Sequence, residues 1–208
     1  MAYKLIVVGI GPGGKDYILP KAVKTIKNAN VLVGSKRALA GFACEKQECI
    51  VIDANLSAVI EKIREKILNS DVVVMVSGDP GFHSMLVRLR QDFSNEQIII
   101  IPGISSLQIA FARLNLPWQD ANFLSMHGKE HSEETLHYFA GKKLGLLTDG
   151  NNTPAVIAQK LLVAGWPKSA NCYVCSNLSY DDEKIDGFTL GEMLKAGSYN
   201  NCVVVVIG

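Results

Sequence analysis

The sequence lacks a charge excess of either sign, with 21 lysines and arginines against 20 aspartates and glutamates in 208 residues. Nucleic-acid-binding domains carry a basic face or stripe, and neither that nor a terminal charge block is present, so no nucleic-acid partner is expected. Long hydrophobic runs are missing too. No apolar run approaches the roughly 20 residues of a membrane helix. Met1-Ala2-Tyr3-Lys4 leads straight into a strand-length apolar segment, too short for a signal sequence and without a small-residue cleavage site. A soluble, cytoplasmic protein with no membrane partner is expected.

Cysteine is sparse and odd in number: residues 44, 49, 172, 175 and 202. Cys172 and Cys175 form a CxxC pair, a spacing that suits a redox or zinc site. They fall, however, in Asn171-Cys172-Tyr173-Val174-Cys175, which reads as a strand, where an offset of three directs side chains to opposite faces. Packed free thiols in a reducing compartment are expected, with no metal.

A carboxylate is also lacking where a dinucleotide site needs one. Strand Lys4 to Val8 runs into Gly9-Ile10-Gly11-Pro12-Gly13-Gly14, which matches GxGxxG. That fingerprint requires a helix beginning inside the motif and an acidic residue about 20 positions later to hold a ribose hydroxyl. The next strand, Asn30 to Val33, ends instead in Gly34-Ser35-Lys36-Arg37. Pro12 removes a further amide from the loop. NAD is disfavoured; a ligand-cradling loop is not.

The most informative stretch present is Val72-Val73-Val74-Met75-Val76-Ser77-Gly78-Asp79-Pro80-Gly81-Phe82-His83. A β-branched run of this kind suits a strand covered on both faces. Gly-Asp-Pro-Gly then enforces a turn. Gln97 to Ile101 repeats the pattern, ending in Pro102-Gly103-Ile104-Ser105-Ser106, and a helix follows from Ser106 to Leu114 with a serine as N-cap. If the three strands are parallel, their glycine loops share one edge of the sheet, where ligands bind in open α/β folds. Helices are expected over Pro20 to Lys27, Leu56 to Leu68 and from Met85, with a polar, irregular region before Ile50-Val51-Ile52-Asp53.

Leu116-Pro117-Trp118 ends the first half, giving expected domains of residues 1–116 and 117–208. The second half reads as a smaller α/β layer with strands at Asn122 to Ser125, Leu144 to Leu147, Cys172 to Cys175 and Cys202 to Ile207. Helices are expected near Glu133 to Phe139, Thr153 to Ala164 and Leu190 to Leu194, with Thr153 capping and Pro154 at the first helical position.

Five stretches in order, Gly9 to Gly14, Ser77 to Phe82, Pro102 to Ser106 with Gln108 through Trp118, Ser125-Met126-His127-Gly128-Lys129, and Leu147-Thr148-Asp149-Gly150-Asn151-Asn152-Thr153-Pro154, resemble the tetrapyrrole (corrin/porphyrin) methylase family. The resemblance covers essentially the whole chain. It implies two α/β domains with S-adenosylmethionine in the cleft between them, a homodimer, and methylation of C5 of a (cobalt-)precorrin-7-type macrocycle in cobalamin biosynthesis. Carried over residue by residue, it places the cofactor against Gly78, Asp79, Phe82, His83, Ser105 and Ser106. Leu147, Asn177 and Leu178 are the second-domain candidates, and Gly11, Pro12 and Gly13 face the substrate. It further implies that a decarboxylating C15-methyltransferase, fused in some relatives, is a separate protein here. The chain departs from its relatives at His83, where Tyr or Phe is common, at Leu19, where Thr often precedes the helix-starting proline, and at Ser176, where an acid is common.

Methyl transfer from a sulfonium needs alignment rather than a covalent nucleophile, and the chain offers no activated Ser or Cys. Asp79 is expected to shape the cofactor loop and orient the reactants, with Asp149, His127 or His83 handling protons at the ring. Asp79 also suits an Asx turn and nothing more. A methyltransferase with another precorrin or a non-tetrapyrrole substrate, and a non-catalytic nucleotide-binding regulatory module, are the alternatives.

Overall fold

The computed structural model describes residues 3–126 and 133–208. The chain divides into two compact units of nearly equal length, Met1–Ser105 and Ser106–Gly208.

The first unit is a five-stranded parallel sheet in the order β3-β2-β4-β1-β5, comprising β1 (Leu5–Gly9), β2 (Val31–Gly34), β3 (Glu48–Val51), β4 (Val72–Val76) and β5 (Ile98–Ile101). Strand alternation divides its core between two faces. Leu5, Val7, Val33, Val72 and Val74 pack with Val59, Ile60 and Ile63 of α3 (Leu56–Lys66) and Leu86 and Leu89 of α4 (Leu86–Asp92). Val8, Leu32, Val73 and Met75 pack on the other face with Ala22 and Ile26 of α1 (Pro20–Lys27) and Ala38 and Leu39 of α2 (Lys36–Phe42). Burial on both faces explains why the central strands read as unbroken apolar runs. Helix α2 lies where the sequence suggested only irregular chain. Its start is fixed by Ser35, whose Oγ accepts the Ala38 amide at 3.2 Å. Leu19, by contrast, gives α1 no side-chain cap.

The second unit contains α5 (Ser106–Arg113), β6 (Ala121–Ser125), α6 (Glu133–Leu136), β7 (Lys143–Leu147), α7 (Pro154–Val163), β8 (Asn171–Ser176), β9 (Lys184–Thr189), α8 (Leu190–Met193) and β10 (Cys202–Ile207). Its sheet, β6-β7-β10-β8-β9, is mixed: β6 and β7 are parallel, and β10 runs antiparallel to both neighbours. It is not the smaller layer suggested by the sequence, because β9 adds a fifth strand and α5 belongs to this unit. Helix α5 packs on β7 and β10, with Leu107 against Gly145 and the Phe111 ring edge-on to Phe123 at 5.6 Å. The division therefore precedes α5 rather than following it. The other face carries Leu144, Leu146, Val204 and Val206 against Ile157, Ala158 and Leu161 of α7. Thr153 caps α7 by accepting the Val156 amide, with Pro154 opening the helix. Helix α6 stops at Leu136, short of Phe139.

Cys172 joins Val174 in that second core, while Cys175, of opposite strand parity, lies outside it. The two sulfurs thus face apart. All five cysteines are free thiols, and burial pushes both Cys172 and Cys175 up to about 12. Among the described residues no helix is long and apolar enough to cross a membrane.

Candidate functional site

In the first unit β1 pairs in parallel with both β4 and β5, Gly9 lying opposite Val76 and Val8 opposite Ile101. The three glycine loops consequently emerge at one edge, as expected for parallel strands. They are joined by backbone contacts. The Gly78 amide donates to the Gly11 carbonyl at 2.8 Å, forming a bridge between the first and second loops. Gly11 and Gly78 hold φ of +70° and +67°, a region that favours glycine.

Gly9, Gly78 and Gly103 form a contact that no side chain could enter. A Cβ on Gly9 would lie 2.6 Å from both the Gly103 nitrogen and the Gly78 carbonyl oxygen. The GxGxxG spacing is thus used, at Gly9, for backbone packing between strand ends. No helix begins inside the motif: a 3-10 turn spans Lys15–Tyr17, and α1 starts only at Pro20.

Asp79 fastens this arrangement. Its Oδ1 accepts the Gly81 amide at 2.7 Å, closing an Asx turn, and its Oδ2 accepts the Gly103 amide at 3.0 Å, tying the second loop to the third. The turn continues with the Phe82 amide donating to the Asp79 carbonyl at 3.1 Å and the Ser84 hydroxyl donating to the Pro80 carbonyl. Phe82 meets the His83 ring edge-on at 4.6 Å; His83 is exposed and holds φ +47°. Ser105 is buried, and its Cα lies 3.7 Å from where a Gly78 Cβ would stand. Gly11, Pro12, Gly13, Gly78, Asp79, Phe82, His83 and Ser105 are therefore gathered at one edge. Across 9–14, 77–83 and 102–106 there is no lysine or arginine, and Asp79 is the one carboxylate. Such an edge suits a ligand recognised through backbone groups and tolerates a positive charge on it.

Ser106 opens α5 and belongs to the second unit. There, β6, β7 and β8 all end at the edge where β10 begins, since Ser125 pairs with Leu147, Leu147 with Val203 and Ser176 with Cys202. Leu147, Asp149, Asn177 and Leu178 are thereby brought to one edge. Asp149 is held by the turn that follows it: its Oδ1 accepts the Asn151 and Asn152 amides at 2.8 and 2.6 Å. Asn152 Nδ2 donates to the Met126 carbonyl at 2.7 Å, and Lys160 Nζ to Asn152 Oδ1 at 2.7 Å. Thr148 Oγ1 donates to the Cys202 carbonyl at 2.7 Å. Asn177, at φ +47°, donates its amide to the Asn201 carbonyl at 3.0 Å and its Nδ2 to Asp182 at 2.7 Å, while Leu178 is buried. His127 lies outside the described residues.

Sequence reasoning missed Gly103 as a packing partner and the Asn152–Lys160 pair that braces Asp149. The Pro102-Gly103 turn was the visible signal for the first. The second needs the i, i+8 geometry of a capped helix, which no local motif announces.

The model of the family described as Tetrapyrrole (Corrin/Porphyrin) Methylases matches residues 4–194. The chain is 33% identical over 205 residues to the probable cobalt-precorrin-7 C(5)-methyltransferase of Methanocaldococcus jannaschii, covering 97% of this chain and 96% of that protein. It is 35% identical over 182 residues to the cobalt-precorrin-7 C(5)-methyltransferase of Salmonella typhimurium, covering 87% and 88%. Among solved structures, the precorrin-6Y methylase of cobalamin biosynthesis from Archaeoglobus fulgidus is similar at a TM-score of 0.73 and 23% identity, over 98% of this chain and 97% of that one. A uroporphyrin-III C-methyl transferase from Thermus thermophilus, complexed with S-adenyl homocysteine, has a TM-score of 0.73 at 19% identity, over 98% and 91%.

Proposed function

The chain belongs to the tetrapyrrole (corrin/porphyrin) methylase family, and from that premise we propose that it transfers a methyl group from S-adenosylmethionine to C5 of a (cobalt-)precorrin-7-type macrocycle in cobalamin biosynthesis. The observation that carries this reading is the 33% and 35% identity, over most of both partners' lengths, to two proteins named for that reaction.

The residues at the first-unit edge fit the methyl donor. S-adenosylmethionine supplies an electrophilic methyl on a sulfonium, a cation. The loops 9–14, 77–83 and 102–106 carry no lysine or arginine to repel it, and their backbone groups and the Phe82 ring provide polar and apolar contacts. Gly78, Asp79, Phe82, His83, Ser105 and Ser106 are assigned to this ligand, with Leu147, Asn177 and Leu178 from the second unit. Gly11, Pro12 and Gly13 are assigned to the macrocycle. Asp79 acts by position: with its oxygens taken by the Gly81 and Gly103 amides, it fixes the cofactor loop against its neighbour. Holding reactants in line lowers a bimolecular barrier by several kcal/mol, and the loop's contribution is of this kind. Asp149 serves the second edge similarly.

A cytoplasmic homodimer follows from the same reading. Ile99 and Ile100, 44% and 48% exposed on opposite faces of edge strand β5, support it by offering apolar surface to a second copy. Decarboxylating C15 methylation falls to a separate protein. That assignment is supported by the two relatives named for C5 methylation alone.

The test is incubation with labelled S-adenosylmethionine and a panel of precorrin intermediates, followed by mass analysis. One added methyl on the precorrin-7-type substrate is expected. Labelling of a different precorrin would refute the C5 assignment. Calorimetry that shows binding of NAD and not of S-adenosylhomocysteine would overturn the methyltransferase reading.

A further inference from the structure

A surface groove of about 450 Å³ runs along α1 in the first unit. Ile18, Pro20 and Val23 supply its apolar lining, and Lys15, Lys24, Lys27 and Asn28 its polar lining. Pro20, Val23, Lys24 and Lys27 share one face of α1 by their i, i+3, i+4, i+7 spacing, while Lys15 comes from the preceding 3-10 turn. Among the described residues, none of the three ammonium groups has a carboxylate or other hydrogen-bonding partner. In a chain with nearly balanced charge, three unmatched cations around one apolar groove form a local excess. The helix dipole favours Lys24 and Lys27, which lie in the last turn of α1. It gives no reason for Lys15, which is outside the helix.

We propose that this groove binds peripheral carboxylates of the tetrapyrrole substrate, with Lys15, Lys24 and Lys27 pairing with acetate or propionate side chains and the apolar lining against the ring edge. The inference rests on the methyltransferase reading above, which makes the substrate a flat apolar ring with a carboxylate rim. The chemistry matches: a lining of apolar groups and lysines answers an apolar disc with anions around it. Chain continuity agrees, since Lys15 directly follows the Gly9 to Gly14 loop assigned to the macrocycle. The lysines are exposed, so each pair is screened and its effect is modest. The contribution comes from several acting on one polyanion.

The probes are uroporphyrin, an octacarboxylate, and coproporphyrin, a tetracarboxylate, titrated by porphyrin fluorescence, with S-adenosylhomocysteine binding measured in parallel by calorimetry. Lys24→Glu and the double variant Lys15→Ala/Lys24→Ala are expected to weaken uroporphyrin binding about tenfold, equivalent to about 1.4 kcal/mol. They should flatten its salt dependence, affect coproporphyrin less and leave S-adenosylhomocysteine unchanged. Lys62→Glu, an exposed change on α3 outside the groove, should leave uroporphyrin binding unaltered. The proposal is overturned if the wild type binds S-adenosylhomocysteine but not uroporphyrin, if the groove variants match the wild type, or if Lys62→Glu weakens binding equally. Failure of the wild type to bind S-adenosylhomocysteine would instead remove the methyltransferase reading on which the groove assignment rests.

Discussion

Gly103→Ala is the most exacting probe of the three-loop edge. Gly103 needs no unusual backbone angle, so any effect of alanine there is steric. The added Cβ would collide with the Gly78 carbonyl oxygen and sit 2.8 Å from the Gly9 Cα. Neither neighbour is a flexible side-chain end. Gly78 is held at positive φ with its amide on the Gly11 carbonyl, and Gly9 is the last residue of β1, so relief requires moving a strand end or breaking the bridge. Overpacking of this kind costs about 1–3 kcal/mol, and a lost backbone hydrogen bond adds about 1 kcal/mol. A total near 3 kcal/mol corresponds to a fall in Tm of roughly 6–12 °C for a chain of this size. Gly150→Ala is the control: nothing lies within 4 Å of its Cβ position and its φ is not positive, so it should be neutral or stabilising by a few tenths of a kcal/mol. Calorimetric melting and titration with S-adenosylhomocysteine read both variants. If Gly103→Ala melts within about 2 °C of the wild type and binds the ligand unchanged, the strand ends are not packed as described and the reasoning fails.

Three further outcomes follow from specific contacts. Asp79→Asn keeps one carbonyl acceptor and loses the other, so it should retain the fold at a cost of about 1 kcal/mol and weaken S-adenosylhomocysteine about tenfold; wild-type affinity would show that the Gly103 contact does not position the cofactor loop. Arg113 Nε donates to Glu183 Oε1 at 2.6 Å, and this bond, with the Ser179 amide on the same carboxylate, holds Glu183 below its ordinary 4.5. A carboxylate lowered by folding stabilises above its unfolded pKa and loses that contribution as pH falls through its folded value. Glu183→Gln should therefore be less stable than the wild type near neutrality and converge on it as pH falls below 4.5 and through the lowered folded value, in urea unfolding. Third, native protein treated with a thiol reagent should modify exposed Cys44 and Cys49 only, because buried thiols pushed to about 12 carry negligible thiolate at pH 7; labelling of Cys172 or Cys175 before unfolding would contradict the packing of β8.

How far the sequence could be read depended on whether local chemistry or tertiary packing decided the outcome. Strands β1, β4 and β10 were legible because Leu5–Gly9, Val72–Val76 and Cys202–Ile207 are buried apolar runs that end at turn residues. Helix α7 was legible at its start because Thr153 and Pro154 are the residues a cap and a first turn require. Strand β9 was not, since Lys184-Ile185-Asp186-Gly187-Phe188-Thr189 is a half-exposed edge with a central glycine, and its pairing to β8 supplies what its composition does not. Helix α5 was placed correctly in sequence, yet grouped with the wrong half; Leu107 and Phe111 reveal their partners only when β7, β10 and Phe123 are folded beneath them. At the site, the loops and Asp79 were legible as turn chemistry. That Gly9, Gly78 and Gly103 touch was not, because three glycines dispersed over the first unit carry no mark of mutual contact.

The two aspartates singled out for chemistry share one physical solution, and it bears on how the reaction is run. Asp79 and Asp149 each stand just beyond a strand end and each accept backbone amides from the turn that follows, so their negative charge is spent on loop geometry. Oxygens engaged in this way are held for positioning the loops rather than for contact with a ring carbon. Methyl transfer asks for little else: a sulfonium brings its own leaving group, an electron-rich macrocycle brings its own nucleophilic carbon, and orientation is what the protein has to add. Three glycine loops locked by a carboxylate, with no lysine or arginine in residues 9–14, 77–83 and 102–106, suit orientation without repelling a cation. The cations are placed elsewhere, along α1, where a polycarboxylate has use for them. On the proposed assignments, the cofactor loops and the basic groove are separate, which is how a chain of almost zero net charge would serve one positive and one strongly negative reactant.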